Sequence, residues 1–399
     1  MSDTQKHTKP NVPNLRFPGF CGEWEQHLLS EYLEFKNGLN PSAKSFGEGI
    51  KFISVMDILN NPYITYDCIR ASVNASEKEK QEFNVEYGDI LFQRSSETLE
   101  DVGHANVYLD KRPALFGGFT IRGKKKGDYN PLFFKYLLDS PKARKKVIVK
   151  GAGAQHFNIG QDGLSSVSLY FPSKQEQKKI AELFELLDER ISIQNKVIED
   201  LKNVKNALCE LFFDESAPNF RIGDVIEQVS ERNKKRGLNN VLSVNNRYGF
   251  IEQSKQFEDR IVASEDTSNY KIVSLNDFAY NPARINVGSI ARLKHFSTGI
   301  ISPMYICFRT KGSVIPEYFE SFFDTKYFSL EMGNRLEGSV RMCLSYEGLC
   351  NIPIYIPSLQ EQKAISTRIE TLKQKLFLEE SILEKMLQER QYLLAKLFT

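Results

Sequence analysis

Four stretches of this 399-residue chain use residue types that catalysis could exploit. GFTIRGKK at 118–125 comes within one residue of G-x-x-x-x-G-K-[ST], the loop whose backbone amides cradle phosphates. Lys125 stands where a hydroxyl must meet magnesium, and the residues before it read as the strand itself, so no nucleotide loop is expected. NNPY at 60–63 is one proline short of the Asn-Pro-Pro-Tyr loop that grips an amine for methylation. No glycine-rich S-adenosylmethionine loop precedes it, and a turn is expected. GAGAQHF at 151–157 opens no dinucleotide fingerprint and reads as a loop, and EKEK at 77–80 reads as a solvated helical turn. No Ser-His-Asp or Cys-His grouping follows from the linear spacing. The sequence therefore offers no catalytic centre.

Recognition chemistry is better represented. Residues 122–150 hold ten cations (Arg122, Lys124, Lys125, Lys126, Lys135, Lys142, Arg144, Lys145, Lys146 and Lys150) against Asp128 and Asp139. The whole chain carries a formal charge of only +2, so this concentration is local. It suits a phosphate-contacting surface whose affinity falls as salt rises, or else a solubilising face. Polar side chains also gather at strand ends: Gln93, Arg94, Ser95 and Ser96, then Gln155, His156 and Asn158 after the glycine loop. In the second half Asn281, Arg284, Asn286 and Arg292 occupy similar text, with Arg341 after Gly338. Arg matches guanine O6 and N7, and Gln or Asn matches adenine N6 and N7. Each of these residues could equally face solvent from a loop.

The elements that must position them come from a repeat. YFPSKQEQKKIA at 170–181 returns as YIPSLQEQKAIS at 355–366, an offset of 355 − 170 = 185. The offset holds without gaps from there to ELFF (210–213) against AKLF (395–398), and backward through Gly153/Gly338 to Pro131/Pro316. Upstream it drifts, as loop insertions make it do. Ser173 with Glu176, and Ser358 with Glu361, have capping-box spacing and start two helices close to 40 residues each. At about 1.5 Å per residue each is roughly 60 Å long. The first has an apolar seam of Ile180, Phe184, Leu187, Ile191, Ile198, Leu201 and Leu208. The second has Ile365, Ile369, Leu372, Leu376, Leu383, Met386 and Leu393. Gln194 and Lys205 interrupt one seam, and Glu379 and Arg390 the other, at the same register. A 3.5-residue period predicts that the helices pack on each other, antiparallel; the alternative is that each lies on its own domain. Residues 21–169 and 219–354 are rich in short strand-like runs broken by Gly and Asn-Pro turns, with helical text at 130–149 and 316–335.

Composition sets further bounds. The chain is 41% hydrophobic and 12% aromatic, enough for real cores. Six cysteines form no C-x-x-C pair and the five histidines do not cluster with them, so no zinc site is expected and free thiols suit a reducing cytoplasm. The polar N-terminus reads as neither signal peptide nor membrane anchor, and no run of apolar residues is long enough to span a membrane.

The duplicated P-S-x-Q-E-Q-K-x-I, each copy followed by a long heptad helix, resembles the specificity subunit of type I restriction–modification enzymes. YGDILFQR with FGGFTIRGK, and NDFAYNPAR with MYICFRTK, resemble the strand-loop-strand phrases of that family's two target-recognition domains. The resemblance implies an α+β fold: two similar target-recognition domains related by pseudo-two-fold symmetry, separated by two long helices packed as an antiparallel coiled coil. Together with the polar N-terminus and the helix signals, this gives a flexible tail at 1–20, recognition domains at 21–172 and 215–357, and long helices at 173–214 and 358–399. The function implied is non-catalytic: reading a bipartite double-stranded DNA target, with the coiled coil as a ruler. Two methyltransferase subunits would carry S-adenosylmethionine, restriction subunits would use ATP and Mg, and this subunit would hold no cofactor. The rival reading is a coiled-coil protein-interaction module without DNA readout.

Overall fold

The computed structural model describes residues 11–153, 155–214, 218–246, 248–256, 266–338 and 341–399. The chain forms two compact units, one of Met1–Asn195 with Ile382–Thr399, the other of Lys196–Ser381.

In the first unit an antiparallel sheet runs in the order Leu33–Asn37, Thr120–Lys125, Ile90–Gln93, Ala105–Val107. A second sheet runs Ser72–Val73, Phe46–Ile53, Ala114–Phe116, Asn84–Val85, with a parallel pairing of Phe52 to Leu115 at its centre. Ile90, Leu91 and Phe92 are all fully buried, so this strand is covered on both faces. A short ladder pairs Glu25–Leu28 with Ser168–Phe171. The second unit repeats this plan. Its antiparallel sheet is Ile226–Val229, Ile306–Thr310, Phe278–Tyr280, Ile290–Arg292. Its mixed sheet is Gly249–Glu252, Val241–Asn245, Thr298–Ile301, Lys271–Ser274, again with one parallel pairing, Val241 to Ile300. Phe220–Arg221 pairs with Pro353–Ile354. The repeat is thus one of topology as well as of text, and the α+β class is as expected.

Two expected elements differ in detail. The run IKFISVMDI is strand only to Ile53; Ser54 then stands at the N-cap of Val55–Asn60, where its amide and hydroxyl both donate to the Asp57 carboxylate at 2.7 Å. The helical text at 130–149 is two helices, Pro131–Asp139 and Pro141–Ile148, because Pro141 cannot continue the first and Ser140 caps the second.

The long helices span Lys174–Asp214 and Leu359–Lys396. Within the first unit Phe184 stacks on Phe398 at 5.9 Å while Asp188 meets Arg390 at 2.6 Å, so numbers rise on one helix as they fall on the other. Within the second, Lys202 meets Glu380, and Lys205 and Lys373 share Asp324. Both stretches are antiparallel pairs. Of the predicted seam, Ile180, Phe184, Leu187, Ile198, Ile369 and Met386 are buried, and the other eight residues are half-buried.

The second Gln of each QEQK anchors its helix. Gln177, buried, donates to the Pro172 carbonyl (3.1 Å) and accepts from the Asn130 amide (3.0 Å). Gln362, fully buried, donates to Pro357 O (2.9 Å) and Ser313 O (3.0 Å) and accepts from Ile315 N–H (2.8 Å). The capping boxes differ. Glu361 bonds both the Ser358 amide and hydroxyl, whereas the Glu176 carboxylate takes a bidentate pair from Arg16, at 2.8 Å for each bond. That bond corrects the expectation of a flexible tail through residue 20. From Asn11 onward the segment is tied down: Leu15 N–H also donates to Lys396 O, and Phe17 packs on the core. Residues 1–10 lie outside the described residues.

Candidate nucleic-acid interface

Each unit builds a polar cleft from the same two parts, a strand exit and a glycine hairpin. In the first unit the strand Ile90–Gln93 runs into Arg94, Ser95 and Ser96, and Ser95–Ser96 pairs with Phe157–Asn158. Ala152 and Asn158 exchange backbone bonds of 2.9 Å, closing a hairpin that leaves Gln155 and His156 exposed. Only glycine fits at 153: its φ is +149°, and a Cβ there would lie 2.0 Å from His156 O. The cleft, of about 460 Å³, is lined by Asn37, Arg94, Asn158, Gln161 and Asp162.

The second unit does the same with other residues. The strand Phe278–Tyr280 exits into Asn281, whose side chain accepts from Ala283 N–H (3.1 Å) and so shapes the turn that exposes Arg284 and Asn286. Glu337 and Cys343 close the hairpin, and Gly338 has φ +126° with a virtual Cβ 2.3 Å from Arg341 O. Leu344 N–H donates to Pro282 O as Ile159 N–H donates to Arg94 O, tying hairpin to strand exit in both units. The cleft holds about 910 Å³ and is lined by Asn245, Asn246, Gln253, Arg284, Ser302, Met304 and Arg341.

The predicted residues divide accordingly. Arg94 stands in the first cleft, with Ser95 and Ser96 in the adjoining strand and Gln155 and His156 on the hairpin. Asn281, Arg284 and Arg341 line the second, with Asn286 exposed on the same turn. Lys126 and Lys145 are exposed, whereas Lys124 and Lys125 are half-buried, at Glu86 (3.7 Å) and Tyr129 O (3.3 Å).

Four predicted readers are corrected, because their polar groups serve the interior. Gln93 is buried and donates to Ser95 O. Arg144 donates to the carbonyls of Glu100, Val102 and Gly103, each at 2.8 Å, and burial pulls its pKa below the ordinary guanidinium value. Lys146 donates to Ser168 O at 2.8 Å and lies over the Tyr170 ring; burial lowers its pKa too. Arg292 is buried between Glu317 (2.6 Å) and Glu320 (3.1 Å). The ten-cation stretch is therefore not one surface, since Arg122 and Lys135 are buried as well. Sequence reasoning missed Asn37, Asn246 and Gln253. They come from neighbouring strands and a short helix, and only the sheet order brings them to the clefts.

Among the described residues no group of three or more His, Cys, Asp or Glu is placed to hold a metal ion, and no helix is long and apolar enough to cross a membrane.

Comparison with known proteins bears on this geometry. Residues 22–203 match the family described as type I restriction modification DNA specificity domain. The chain is 24% identical over 383 residues to a type I restriction enzyme MjaX specificity subunit of Methanocaldococcus jannaschii, covering 88% of this chain and 87% of that one. It is 26% identical over 177 residues to the EcoKI specificity subunit of Escherichia coli K12, covering 43% of this chain and 38% of the other. The crystal structure of a type I restriction–modification S subunit from M. genitalium shares the fold at a TM-score of 0.62, with 16% identity and coverage of 97% and 99%.

Proposed function

We infer that this chain is a specificity subunit of a type I restriction–modification enzyme that reads a DNA target through its two clefts, with reading domains at 21–172 and 215–357. The observation that carries this is the rebuilding of one cleft plan with different side chains. A glycine-locked hairpin and a strand exit present Arg94, Gln155 and His156 in one unit, and Arg284, Asn286 and Arg341 in the other. Equivalent positions with unlike chemistry suit two half-sites of unlike sequence. Guanidinium and amide groups give base-edge contacts, while exposed Lys126 and Lys145 suit phosphates, which position without specifying. The subunit supplies recognition rather than chemistry; methyl transfer with S-adenosylmethionine, and ATP-driven restriction with Mg, fall to methyltransferase and restriction subunits.

The helices support partner binding. Leu186, Ile193, Leu387 and Tyr392 in the first unit, and Val204, Phe377 and Leu378 in the second, are large apolar side chains left 43–67% exposed. Such faces suit helices of two methyltransferase subunits. Co-expression with the cognate methyltransferase subunit, followed by genome-wide mapping of methylated adenine, should give a two-part motif with a constant gap. A single uninterrupted motif, or none, would overturn the reading. Salt-insensitive behaviour without DNA binding would favour the interaction module instead.

A further inference from the structure

The chain enters the long strand of each antiparallel sheet through a tight turn. In the first unit the turn is Gly117-Gly118-Phe119-Thr120, and in the second it is Ser302-Pro303-Met304-Tyr305. These share no residue, yet they are the same structure at the 185-residue offset. Thr120 N–H donates to Gly117 O at 2.9 Å, and Tyr305 N–H donates to Ser302 O at 3.1 Å. Both follow the strand that makes the parallel pairing, which ends at Phe116 in one unit and Ile301 in the other. Both place a large apolar side chain third in the turn and leave it in solvent. Phe119 is 71% exposed, more than any other large apolar residue on that sheet, and Met304 is 59% exposed.

The turns are braced from behind. Gly38 N–H donates to Thr120 O (3.2 Å) and Leu39 N–H to Phe116 O (3.0 Å). A Cβ on Gly38 would lie 2.0 Å from Gly117 O, so the backing strand touches the turn backbone directly. Lys271 Nζ donates to Tyr305 O at 2.6 Å in the other unit. Both also stand beside the clefts. Arg94 N–H donates to Phe119 O (2.9 Å) and its guanidinium to Gly118 O (3.3 Å), while Met304 lines the cleft with Arg284 and Arg341.

We propose that Phe119 and Met304 are wedges, each inserted at a base step of the half-site read by its own unit. A single exposed apolar residue is ordinary on a protein surface. Two at one position of unrelated turns, held rigid beside exposed or cleft-lining arginines, match how apolar side chains unstack and kink a duplex next to polar groove contacts. The proposal rests on the DNA-reading function above.

The test uses the subunit in complex with its methyltransferase and duplexes carrying the mapped motif, with 2-aminopurine scanned through each half. The wild type should brighten the probe at one step in each half. Phe119→Ala should abolish that signal in one half only and weaken specific binding roughly 5- to 150-fold, the scale of one base–side-chain stack. Met304→Ala should do the same in the other half, by a smaller factor. Binding to non-specific duplex and the melting temperature should not change, since both residues are exposed. Variants with wild-type affinity and an intact probe signal would overturn the wedge while leaving DNA reading in place. So would a loss reproduced by replacing one thymine with deoxyuracil without any probe response, which marks a groove-edge methyl contact. A wild-type complex that does not distinguish the motif from scrambled duplex would remove the DNA-reading function, and the wedge with it.

Discussion

The QEQK repeat makes a quantitative prediction about its second glutamine. Gln362→Ala leaves three groups without their partner: the carbonyls of Ser313 and Pro357 and the amide of Ile315. Gln177→Ala leaves two, Pro172 O and Asn130 N–H. Both side chains are buried, so water does not freely replace them. At about 1–1.5 kcal/mol for each group left unsatisfied, Gln362→Ala should cost about 3–4.5 kcal/mol and Gln177→Ala about 2–3 kcal/mol. The loss is local. Hydrogen exchange followed by mass spectrometry should show the amide of Ile315 losing two to three powers of ten in protection in the first variant, and that of Asn130 somewhat less in the second.

Gln362→Glu sharpens the test. A carboxylate of the same shape still accepts from Ile315 N–H but cannot donate to Ser313 or Pro357. Burial raises its folded-state pKa above the unfolded value of about 4.3. Its contribution is therefore most favourable below that value and is lost as pH rises through the folded pKa. At neutral pH Gln362→Glu should be less stable than Gln362→Ala, and the order should narrow on acidification. Equal costs for the two alanine variants, or wild-type protection of Ile315 in Gln362→Ala, would refute the argument that this amide holds the helix to the loop before it.

Three more outcomes are expected. Burial works to raise the Asp324 carboxyl, but the ammoniums of Lys373 and Lys205, each 3.2 Å away, outweigh it and hold it below the ordinary range. Its stabilisation is present above about pH 4 and is lost as pH falls through the depressed value, so Asp324→Asn should flatten the acid limb of the second unit's unfolding curve. Gly153→Ala and Gly338→Ala force a Cβ against a carbonyl in a left-handed residue, and each should weaken target binding about tenfold or more in a mobility-shift assay with little change in melting temperature. Lys135→Glu with Asp188→Lys should be more stable than the sum of the single variants by about 1–2 kcal/mol in a double-mutant cycle, because the pair copies the second unit's arrangement.

The sequence was legible where a pattern is local. Heptad spacing located both long helices, and a gapless offset revealed the repeat before any strand pairing was visible. Cation type was equally legible, but cation placement was not. Arg94 and Arg144 look alike in the text, yet one lines a cleft while the other binds three carbonyls inside the domain. Burial is a tertiary property, and a guanidinium serves either setting. The same limit explains Gln177 and Gln362. The capping-box glutamates at 176 and 361 are signalled by spacing, whereas an amide that reaches a loop some 47 residues away is not. The turns at 117–120 and 302–305 have no common residue, and only coordinates show them to be one structure.

The polar interruptions of the two seams show why the offset stays gapless from residue 131 onward while the loops before it drift. Lys205 and Arg390 occupy one register position, and each meets an aspartate of its neighbouring short-helix region, Asp324 and Asp139, themselves equivalent. Two further positions complete each cluster: Lys135 and Asp188 in the first unit, Glu320 and Lys373 in the second. The signs of that pair are exchanged between the copies. These four positions nonetheless carry two cations and two anions in each unit, with Glu320 also bonded to Arg292 and Lys294. Reversal at one site alone would leave a net charge of two in a half-buried position, which is costly. Reversal at both leaves the balance unchanged. An insertion in the first long helix ahead of Asp188, or in the second ahead of Lys373, would turn that residue away from the short helix it faces and break up its cluster. The junction between helix pair and domain therefore tolerates paired substitution but not a change in length, whereas the recognition loops tolerate both.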